Sequence, residues 1–175
     1  MQIDPALIIL ETERLFLRRL IRDDAEFILR LLNEPSWLEY IGDKNVYSLN
    51  DAKKYIELAP MTMYDRYGYG LFLVCAKGTS VPMGLCGLMK RDNLDDADLG
   101  YALLPEFWHK GFALEAVKSV LDYAKNTHQL SRILALSKSS NAPSIKLLNK
   151  VGFLFDRDLK LLENEENLQI YQLEL

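Results

Sequence analysis

The sequence predicts a mixed sheet with helices packed on it, an α+β or α/β domain. Continuous apolar runs of strand length lie between turn residues, for example at 71–76 and 82–89. A long segment after Gly111 carries apolar residues at helical spacing, and a short apolar run follows it at 133–136. Because a further strand-like run at 98–104 precedes this helix, the order strand, helix, strand predicts a parallel pair with a right-handed crossover.

Size and composition indicate a single domain that spans residues 1–175. Of the 175 residues, 49% are hydrophobic and 26% are charged, which is ordinary for a globular protein with a real core. The formal net charge of −4 argues against a general affinity for nucleic acid or anionic membranes. The chain starts without a basic region, and its apolar run at 6–10 is too short for a signal sequence or a membrane span. We therefore expect a cytoplasmic protein.

The cysteines and histidines bear on redox and metal chemistry. Cys75 and Cys86 lie inside apolar strand-like runs, so we expect buried reduced thiols rather than a disulfide or a nucleophile. His109 and His128 are the two histidines of the chain, and no cluster of histidines and cysteines has metal-ligand spacing. The sequence therefore predicts no metal site.

The first sixty residues predict a strand followed by two helices. Residues 14–20 alternate imperfectly between apolar and polar and indicate a first strand. Asp23 suits the positive end of a helix, which we expect Pro35 to end. Ser48 and Asp51 have the spacing of a capping box, which predicts the start of a second helix.

The last third of the chain predicts a short helix and a hairpin. The helix should run from about Pro143, a good first residue, to Gly152, a good C-terminal stop. Residues 153–162 and 168–175 alternate as strands around a polar turn at 163–167, which predicts an antiparallel hairpin.

The loop between the strand at 98–104 and the long helix has the features of an anion site. Gly111 and Ala113 stand at the mouth of the helix, where free backbone N–H groups and the helix dipole favour negative charge. Small residues let a phosphate approach the backbone, and Lys110 adds a positive charge. An ordinary strand–helix turn is the alternative interpretation, and neither a Walker loop nor a dinucleotide fingerprint has this spacing.

The residues in and around this loop carry a family resemblance. The loop reads Trp108-His109-Lys110-Gly111-Phe112-Ala113 and follows Asp98-Leu99-Gly100-Tyr101; Asn141 and Ser144 come after the next strand, then Gly152-Phe153. In these residues the chain resembles the GNAT acetyltransferase superfamily, in particular the RimJ/RimL-type branch of ribosomal-protein N-terminal acetyltransferases. The opening, Glu11-Thr12-Glu13-Arg14-Leu15, is similar to the first strand of that branch, so the resemblance covers nearly the whole chain in order.

The resemblance implies the GNAT fold and acetyl-CoA as co-substrate. That fold is α+β: a central, mostly antiparallel sheet with one splayed parallel pair, about four flanking helices and a C-terminal β-hairpin. The splayed strands would be those around Tyr101 and Ile133, and pantetheine would pair with backbone groups of Leu103 and Leu104 as a substitute strand. The pyrophosphate would bind the loop, and the implied cofactor contacts beyond Leu103 and Leu104 are Trp108, His109, Lys110, Gly111, Phe112, Ala113, Asn141 and Ser144.

The catalytic residues implied are Asp98 and Ser144. Asp98 matches an acidic position on the family's cofactor strand and is the candidate base; a solvated residue in the acidic turn at 92–98 is the alternative. Leu148 stands where many family members have a tyrosine that protonates the leaving thiolate, so Ser144, water or no dedicated acid would serve here. A backbone N–H near Leu103 is the implied oxyanion donor, and Tyr101 a weaker candidate for positioning the acceptor.

The acceptor is not determined by the sequence. Aromatic residues crowd the first two helices, where the family binds its acceptor, although each of them could instead fill the core: Trp37, Tyr40, Tyr47, Tyr55, Tyr64, Tyr67 and Tyr69. Glutamates at the hairpin tip, Glu163, Glu165 and Glu166, could attract a cationic amine or be a solvated turn. We expect transfer of an acetyl group to a primary amine, such as a protein N-terminus, by a monomer or homodimer; a CoA-binding sensor with little or no transferase activity is the alternative.

Overall fold

Eight strands form one sheet in a computed structural model that describes residues 4–159 and 168–175. The strands are β1 Ile8–Glu11, β2 Leu15–Arg18, β3 Leu71–Ala76, β4 Pro82–Met89, β5 Asp98–Leu103, β6 Arg132–Lys138, β7 Leu154–Leu159 and β8 Leu168–Glu174. Their order across the sheet is β1-β2-β3-β4-β5-β6-β8-β7. Every neighbouring pair is antiparallel except β5 and β6, which confirms the predicted mixed sheet.

Helices cover both faces of this sheet. They are α1 Ala25–Leu32, α2 Pro35–Tyr40, α3 Leu49–Ile56, α4 Thr62–Tyr67, α5 Phe112–Asn126 and α6 Ala142–Lys150. A π-helical turn at Glu57–Met61 joins α3 to α4, so these two act as one bent helix. The predicted strand, helix, strand unit is confirmed as β5, α5 and β6.

Three local predictions near the N-terminus met different outcomes. Pro35 was expected to end the first helix, but α1 already ends at Leu32 and Pro35 is the first residue of α2, where its missing N–H costs nothing. The predicted helix start is confirmed, because Ser48 is the N-cap of α3 and its Oγ accepts from the N–H of Asp51 at 3.1 Å. The apolar run at 6–10 is too short for a signal sequence, and no strand is predicted there. In the structure this run contributes most of β1, which pairs with β2.

The apolar core has two layers, one on each face of the sheet. Along β5, Leu99 and Leu103 pack on the face covered by α5, in a cluster that includes Val117 and Val120. On the opposite face a second cluster joins α1 and α3 to the sheet through residues such as Ile28, which is fully buried. The sheet is therefore buried between two helical layers, and its strands read as continuous apolar runs for that reason.

Both thiols are buried, as expected. Cys75 and Cys86 are free cysteines with at most 1% of their surface exposed. Burial raises the pKa of Cys75 to about 11, while the nearby Arg18 opposes that rise. Burial likewise raises the pKa of Cys86, so neither thiol is a thiolate near neutral pH.

The C-terminal hairpin is confirmed where the structure describes it. β7 pairs antiparallel with β8 from Leu154 opposite Gln172 to Leu159 opposite Leu168. The predicted turn at 163–167, with its three glutamates, lies outside the described residues. None of the helices in residues 4–159 and 168–175 is long and apolar enough to cross a bilayer.

Candidate active site

The parallel strands β5 and β6 separate soon after they meet. Their register pairs Asp98 with Leu134 and Leu99 with Ala135. Beyond those pairs β5 continues to Leu103, while β6 pairs on its other side with β8. The edge of β5 after Leu99 therefore opens into a gap between the strands, as the family resemblance implies. We call this opening the β5–β6 gap.

Backbone direction decides which residues of β5 face the β5–β6 gap. The N–H of Leu104 donates to the carbonyl oxygen of Met83 at 2.9 Å, so Leu104 directs its groups towards β4. Alternate residues of a strand point their N–H and C=O to opposite sides, so Tyr101 and Leu103 face the gap. The carbonyl oxygen of Leu104 also has a partner, because it accepts from the N–H of Phe107 at 3.0 Å. Tyr101, rather than Leu104, is thus the second residue whose backbone faces the gap with Leu103.

Trp108 occupies the open end of the β5–β6 gap. Its indole Nε1–H donates to the carbonyl oxygen of Leu103 at 2.7 Å, and 39% of its surface is exposed. One of the two Leu103 groups is therefore engaged within the chain. Trp108 connects the strand edge to the loop that leads into α5.

The loop before α5 contains two residues in the left-handed backbone region. His109 has φ +59° and Gly111 has φ +81°, so left-handed residues alternate around Lys110. Alternation of this kind makes an anion-binding nest. Gly111 is also the N-cap of the fifteen-residue helix α5 and has no side chain to cap it, which leaves the first helical N–H groups directed at the loop.

Arg14 holds this loop, a role that sequence reasoning missed. Its Nη1 donates to the carbonyl oxygen of Lys110 at 3.0 Å, and its guanidinium lies 4.5 Å from the ring centre of Phe112. Its Nε donates to Glu115 Oε2 at 2.7 Å, and the hydroxyl of Thr12 donates to Glu115 Oε1 at 2.6 Å. Thr12 and Arg14 belong to the opening segment that carries part of the family resemblance. Nothing in the sequence indicates that this segment contacts the start of α5.

Glu115 is the acidic partner in this contact. Partial burial favours the neutral acid and would raise its pKa, but the hydrogen bonds from Thr12 and Arg14 outweigh burial and lower the pKa below its ordinary value. Glu115 therefore stays ionised and neutralises Arg14. The ammonium of Lys110 points elsewhere in the loop and donates to the carbonyl oxygen of Glu106 at 2.7 Å.

Asn141 and Ser144 meet at the start of α6. Asn141 is the N-cap residue, and its Oδ1 accepts from the N–H of Ser144 at 3.2 Å. Asn141 is therefore confirmed as a helix cap. The side-chain oxygen makes the cap, and the side-chain NH₂ group takes no part in it. Leu148, one turn further along, is 1% exposed and belongs to the apolar core.

A hydrogen bond joins α6 to β5 at Ser144. The hydroxyls of Tyr101 and Ser144 lie 2.8 Å apart, and the Tyr101 hydroxyl is 3.2 Å from the carbonyl oxygen of Ser144. Burial raises the pKa of Tyr101 to about 12, with the Ser144 hydrogen bond acting in the opposite direction. Tyr101 is therefore a neutral phenol at physiological pH. The structure thus brings together two residues that the sequence placed about forty positions apart.

Asp98 lies at the other end of β5, beside the closed end of the β5–β6 gap. It is 1% exposed, and Arg91 Nε donates to its two oxygens at 3.0 and 3.1 Å. The alternative of a solvated turn residue is wrong, because Asp98 is paired within β5 and buried. Burial raises its pKa, and the contact with Arg91 only partly opposes that rise. Five residues separate Asp98 from Leu103, about 17 Å along a strand.

The predicted aromatic groove divides into core and surface residues. Trp37, Tyr64 and Tyr69 are 5–6% exposed and fill the core, whereas Tyr47 is 64% exposed. Tyr55 lies in a cleft of about 300 Å³ on the α3 side, lined by Lys44, Asn45, Val46, Asp51, Lys54, Tyr55, Leu58 and Ala59.

This cleft carries positive charge. Desolvation in its concave wall, and then repulsion from Arg91, lower the pKa of Lys44. Asp51 also lines the cleft and is anionic, because the hydrogen bond that its carboxylate accepts from the Ser48 hydroxyl at 2.8 Å lowers its pKa. Lys44 and Lys54 together outweigh it and leave the lining with a net positive charge. Among residues 4–159 and 168–175 there is no group of three or more histidine, cysteine or acidic side chains that could hold a metal.

Comparison with known proteins agrees with this architecture. The family profile described as acetyltransferase (GNAT) domain matches residues 14–154. The uncharacterized N-acetyltransferase p20 of Bacillus licheniformis is 32% identical over 145 residues, which cover 82% of this chain and 81% of that protein.

Two solved structures share the fold. The ribosomal L7/L12 α-N-protein acetyltransferase RimL, in complex with coenzyme A, superposes with a TM-score of 0.83 at 16% identity, covering 96% of this chain and 98% of that one. The microcin C7 self-immunity acetyltransferase MccE, in complex with acetyl-CoA and AMP, superposes with a TM-score of 0.78 at 18% identity, covering 94% of both chains. On the profile match and the identity to p20, the chain belongs to the GNAT family of acetyltransferases.

Proposed function

We propose that this protein transfers the acetyl group of acetyl-CoA to a primary amine, either a protein N-terminus or a small molecule. The observation that carries the proposal is the continuity between the gap-facing edge of β5 and the nest at the start of α5. One extended ligand with amide groups at one end and phosphates at the other would use both. The bound coenzymes of RimL and MccE support this choice of ligand.

The cofactor would bind by two kinds of backbone contact. The amides of pantetheine would pair with the backbone of Tyr101 and Leu103, which adds a short strand to the exposed edge. Trp108 would release the Leu103 carbonyl or remain as a side wall. The pyrophosphate would accept from N–H groups between His109 and Ala113, where the helix dipole and the ammonium of Lys110 add attraction.

The chemistry is a direct attack of the amine nitrogen on the thioester carbonyl. Its C–N bond forms as the carbonyl becomes an oxyanion, which a backbone N–H facing the gap, such as that of Leu103, would stabilise. The C–S bond then breaks, and its electron pair leaves with sulfur. Ser144, at the gap side of α6, is the candidate donor to that sulfur.

The attacking ammonium must first lose a proton. Asp98 is the candidate acceptor of that proton, because burial raises the pKa of its carboxyl group towards the range useful for a base. Since its surface is 1% exposed and it lies at the closed end of the gap, the proton would reach it through a chain of water molecules rather than by direct contact.

The acceptor would enter from the cleft beside α3. The cationic lining of this cleft favours an amine that also carries an anionic group, such as a carboxylate. A matched pair of acceptors, one with a free carboxylate and one with that group as an amide, tests this preference directly. The carboxylate form should be the better substrate, and equal use of both forms would remove the charge argument.

Leu148 favours a second candidate function. It puts a buried aliphatic side chain where many family members have an acid, so a CoA-binding sensor with little or no transferase activity would also account for the fold. Such a protein would bind acetyl-CoA without turning it over.

Calorimetric titration with acetyl-CoA, CoA and ATP is the first experiment. We expect binding of both CoA species and none of ATP, followed by release of CoA thiol when amines are supplied. Binding without release across a broad amine panel would favour the sensor. If the folded protein bound neither CoA species, both candidates would be overturned. A domain that serves only to bind another protein would then be the remaining interpretation.

A further inference from the structure

Two hydroxyl groups, one on β5 and one on α6, meet beside the β5–β6 gap. Tyr101 stands two residues beyond the last paired residue of β5, and Ser144 lies in the first turn of α6. Their oxygens are 2.8 Å apart, the usual separation for a hydrogen bond between two hydroxyls. We propose that Tyr101 is a positioning residue for acetyl transfer, which orients the Ser144 hydroxyl so that it donates to the sulfur of the departing thiolate.

Two donor arrangements are open to this pair of hydroxyls. A phenol has one proton to donate, and two oxygens of Ser144 are within reach, the hydroxyl at 2.8 Å and the carbonyl at 3.2 Å. When Tyr101 donates to the hydroxyl oxygen, Ser144 must direct its own proton elsewhere, and the β5–β6 gap is the open side. When Tyr101 donates to the carbonyl, the Ser144 proton turns back to the phenol. The pair therefore switches one donor into or out of the gap.

Burial decides what this pair can and cannot do. With its pKa raised to about 12 by burial, Tyr101 keeps its proton, whereas an ordinary thiol ionises near 8.5. The pair therefore stabilises the thiolate by a hydrogen bond and does not transfer the phenolic proton. When the C–S bond breaks, sulfur takes the electron pair. The nitrogen loses two protons in all, one before the attack and one as the amide forms; one of them ends on sulfur and the other passes to solvent. Atoms and charge balance without a phenolate.

Apolar residues surround the Tyr101 end of the contact, whereas Ser144 is partly buried. Tyr101 packs against the core cluster that contains Leu148 and Val117, and Cys86 lies opposite Tyr101 on β4. A hydroxyl in these surroundings needs a fixed partner, which Ser144 provides. The Ser144 hydroxyl is thus contacted from the strand side by Tyr101.

The inference rests on the proposed acetyl transfer, and its test separates the two. Tyr101→Phe removes one hydroxyl and keeps the ring, and Tyr171→Phe is a matched control. Tyr171 is 4% exposed on β8 and donates to Gln169 Oε1 at 2.9 Å, away from the gap. Wild type, Tyr101→Phe, Ser144→Ala, the double variant and the control are compared for kcat and for KM of acetyl-CoA.

We expect Tyr101→Phe to lower kcat about tenfold with little change in KM, the size of one hydrogen bond made in the transition state. Because the two residues act in series, the double variant should be no slower than Ser144→Ala. The control should keep the wild-type kcat. Multiplied losses in the double variant, or an unchanged kcat for Tyr101→Phe in an active enzyme, would overturn the role of Tyr101 and leave acetyl transfer standing.

A binding measurement adds a readout that does not require turnover. Calorimetry at pH 8 compares CoA with desulfo-CoA, which lacks the sulfur. Wild-type protein should prefer CoA, and Tyr101→Phe should lose most of that preference while it binds desulfo-CoA as the wild type does. An equal preference in both proteins would show that Tyr101 does not act on the sulfur, and failure of the wild type to bind either ligand would instead refute the proposed function.

Discussion

Replacement of Arg14 by alanine should loosen the loop before α5 without unfolding the protein. The change removes the hydrogen bond to the Lys110 carbonyl, the ion pair with Glu115 and the contact with the Phe112 ring. A hydrogen bond from a charged group contributes up to about 3 kcal/mol, but 44% of the Arg14 side chain is exposed to solvent. Screening reduces the expected contribution to about 1 kcal/mol. We therefore expect acetyl-CoA to bind about fivefold more weakly.

Calorimetric titration and thermal unfolding together measure this prediction. For a chain of this size, a loss of about 1 kcal/mol lowers Tm by roughly 2–4 °C, so the variant stays folded at room temperature. Arg22→Ala is the matched control. It removes an exposed ion pair between Arg22 and Glu57, and neither of these residues belongs to the loop before α5. Its affinity for acetyl-CoA should equal that of the wild type.

Arg14→Lys separates geometry from charge. Lysine keeps the positive charge but cannot hold the Lys110 carbonyl and Glu115 with one planar group. If Arg14 orients the loop, the lysine variant should bind nearly as weakly as the alanine variant. Full affinity in Arg14→Ala would refute the reasoning, because the loop would then keep its shape without its anchor.

Three further predictions concern Lys110, Asp98 and Glu115. Lys110→Ala should weaken CoA binding by a factor that shrinks as salt is added, and a loss that is equal at low and high salt would contradict a role in neutralising phosphate. Asp98→Asn should lower kcat by about 10²-fold at unchanged affinity for acetyl-CoA, whereas a lower Tm with unchanged kcat would assign Asp98 to structure alone. The pKa of Glu115 is lowered from 4.5 in the folded state, so its contribution to stability is present above pH 4.5 and is lost as the pH falls through the lower, folded-state value. Thermal unfolding at graded acid pH should therefore show a smaller acid-induced loss in Glu115→Gln than in the wild type, and identical profiles would contradict the shift.

Local patterns were sufficient to predict most of the elements. β3 and β4 match the apolar runs at 71–76 and 82–89, because both strands are buried on both faces and read as continuous apolar segments. The start of α5 follows directly from Gly111 and the apolar stripe behind it. The Ser48 cap was predictable for the same reason, since its partner lies three residues away.

Predictions failed where a distant segment decided the outcome. The β1 strand forms because β2 offers it an edge, which the short run at 6–10 does not reveal. Pro35 is compatible both with a helix end and with a first helical residue, and packing of Trp37 into the core selects the second. Backbone direction in β5 likewise depends on register with β4, so Tyr101 rather than Leu104 faces the β5–β6 gap.

The amino-acid sequence by itself determined the family, because its motifs stand in order along the chain, and it predicted the strands and helices of the mixed sheet from local patterns. Tertiary structure alone decided the contacts that complete the site. Arg14 reaches Lys110 from 96 positions away, and Tyr101 reaches Ser144 from 43. Such pairs leave no local pattern, since nothing in the spacing of either segment specifies which strand edge or helix end it will meet.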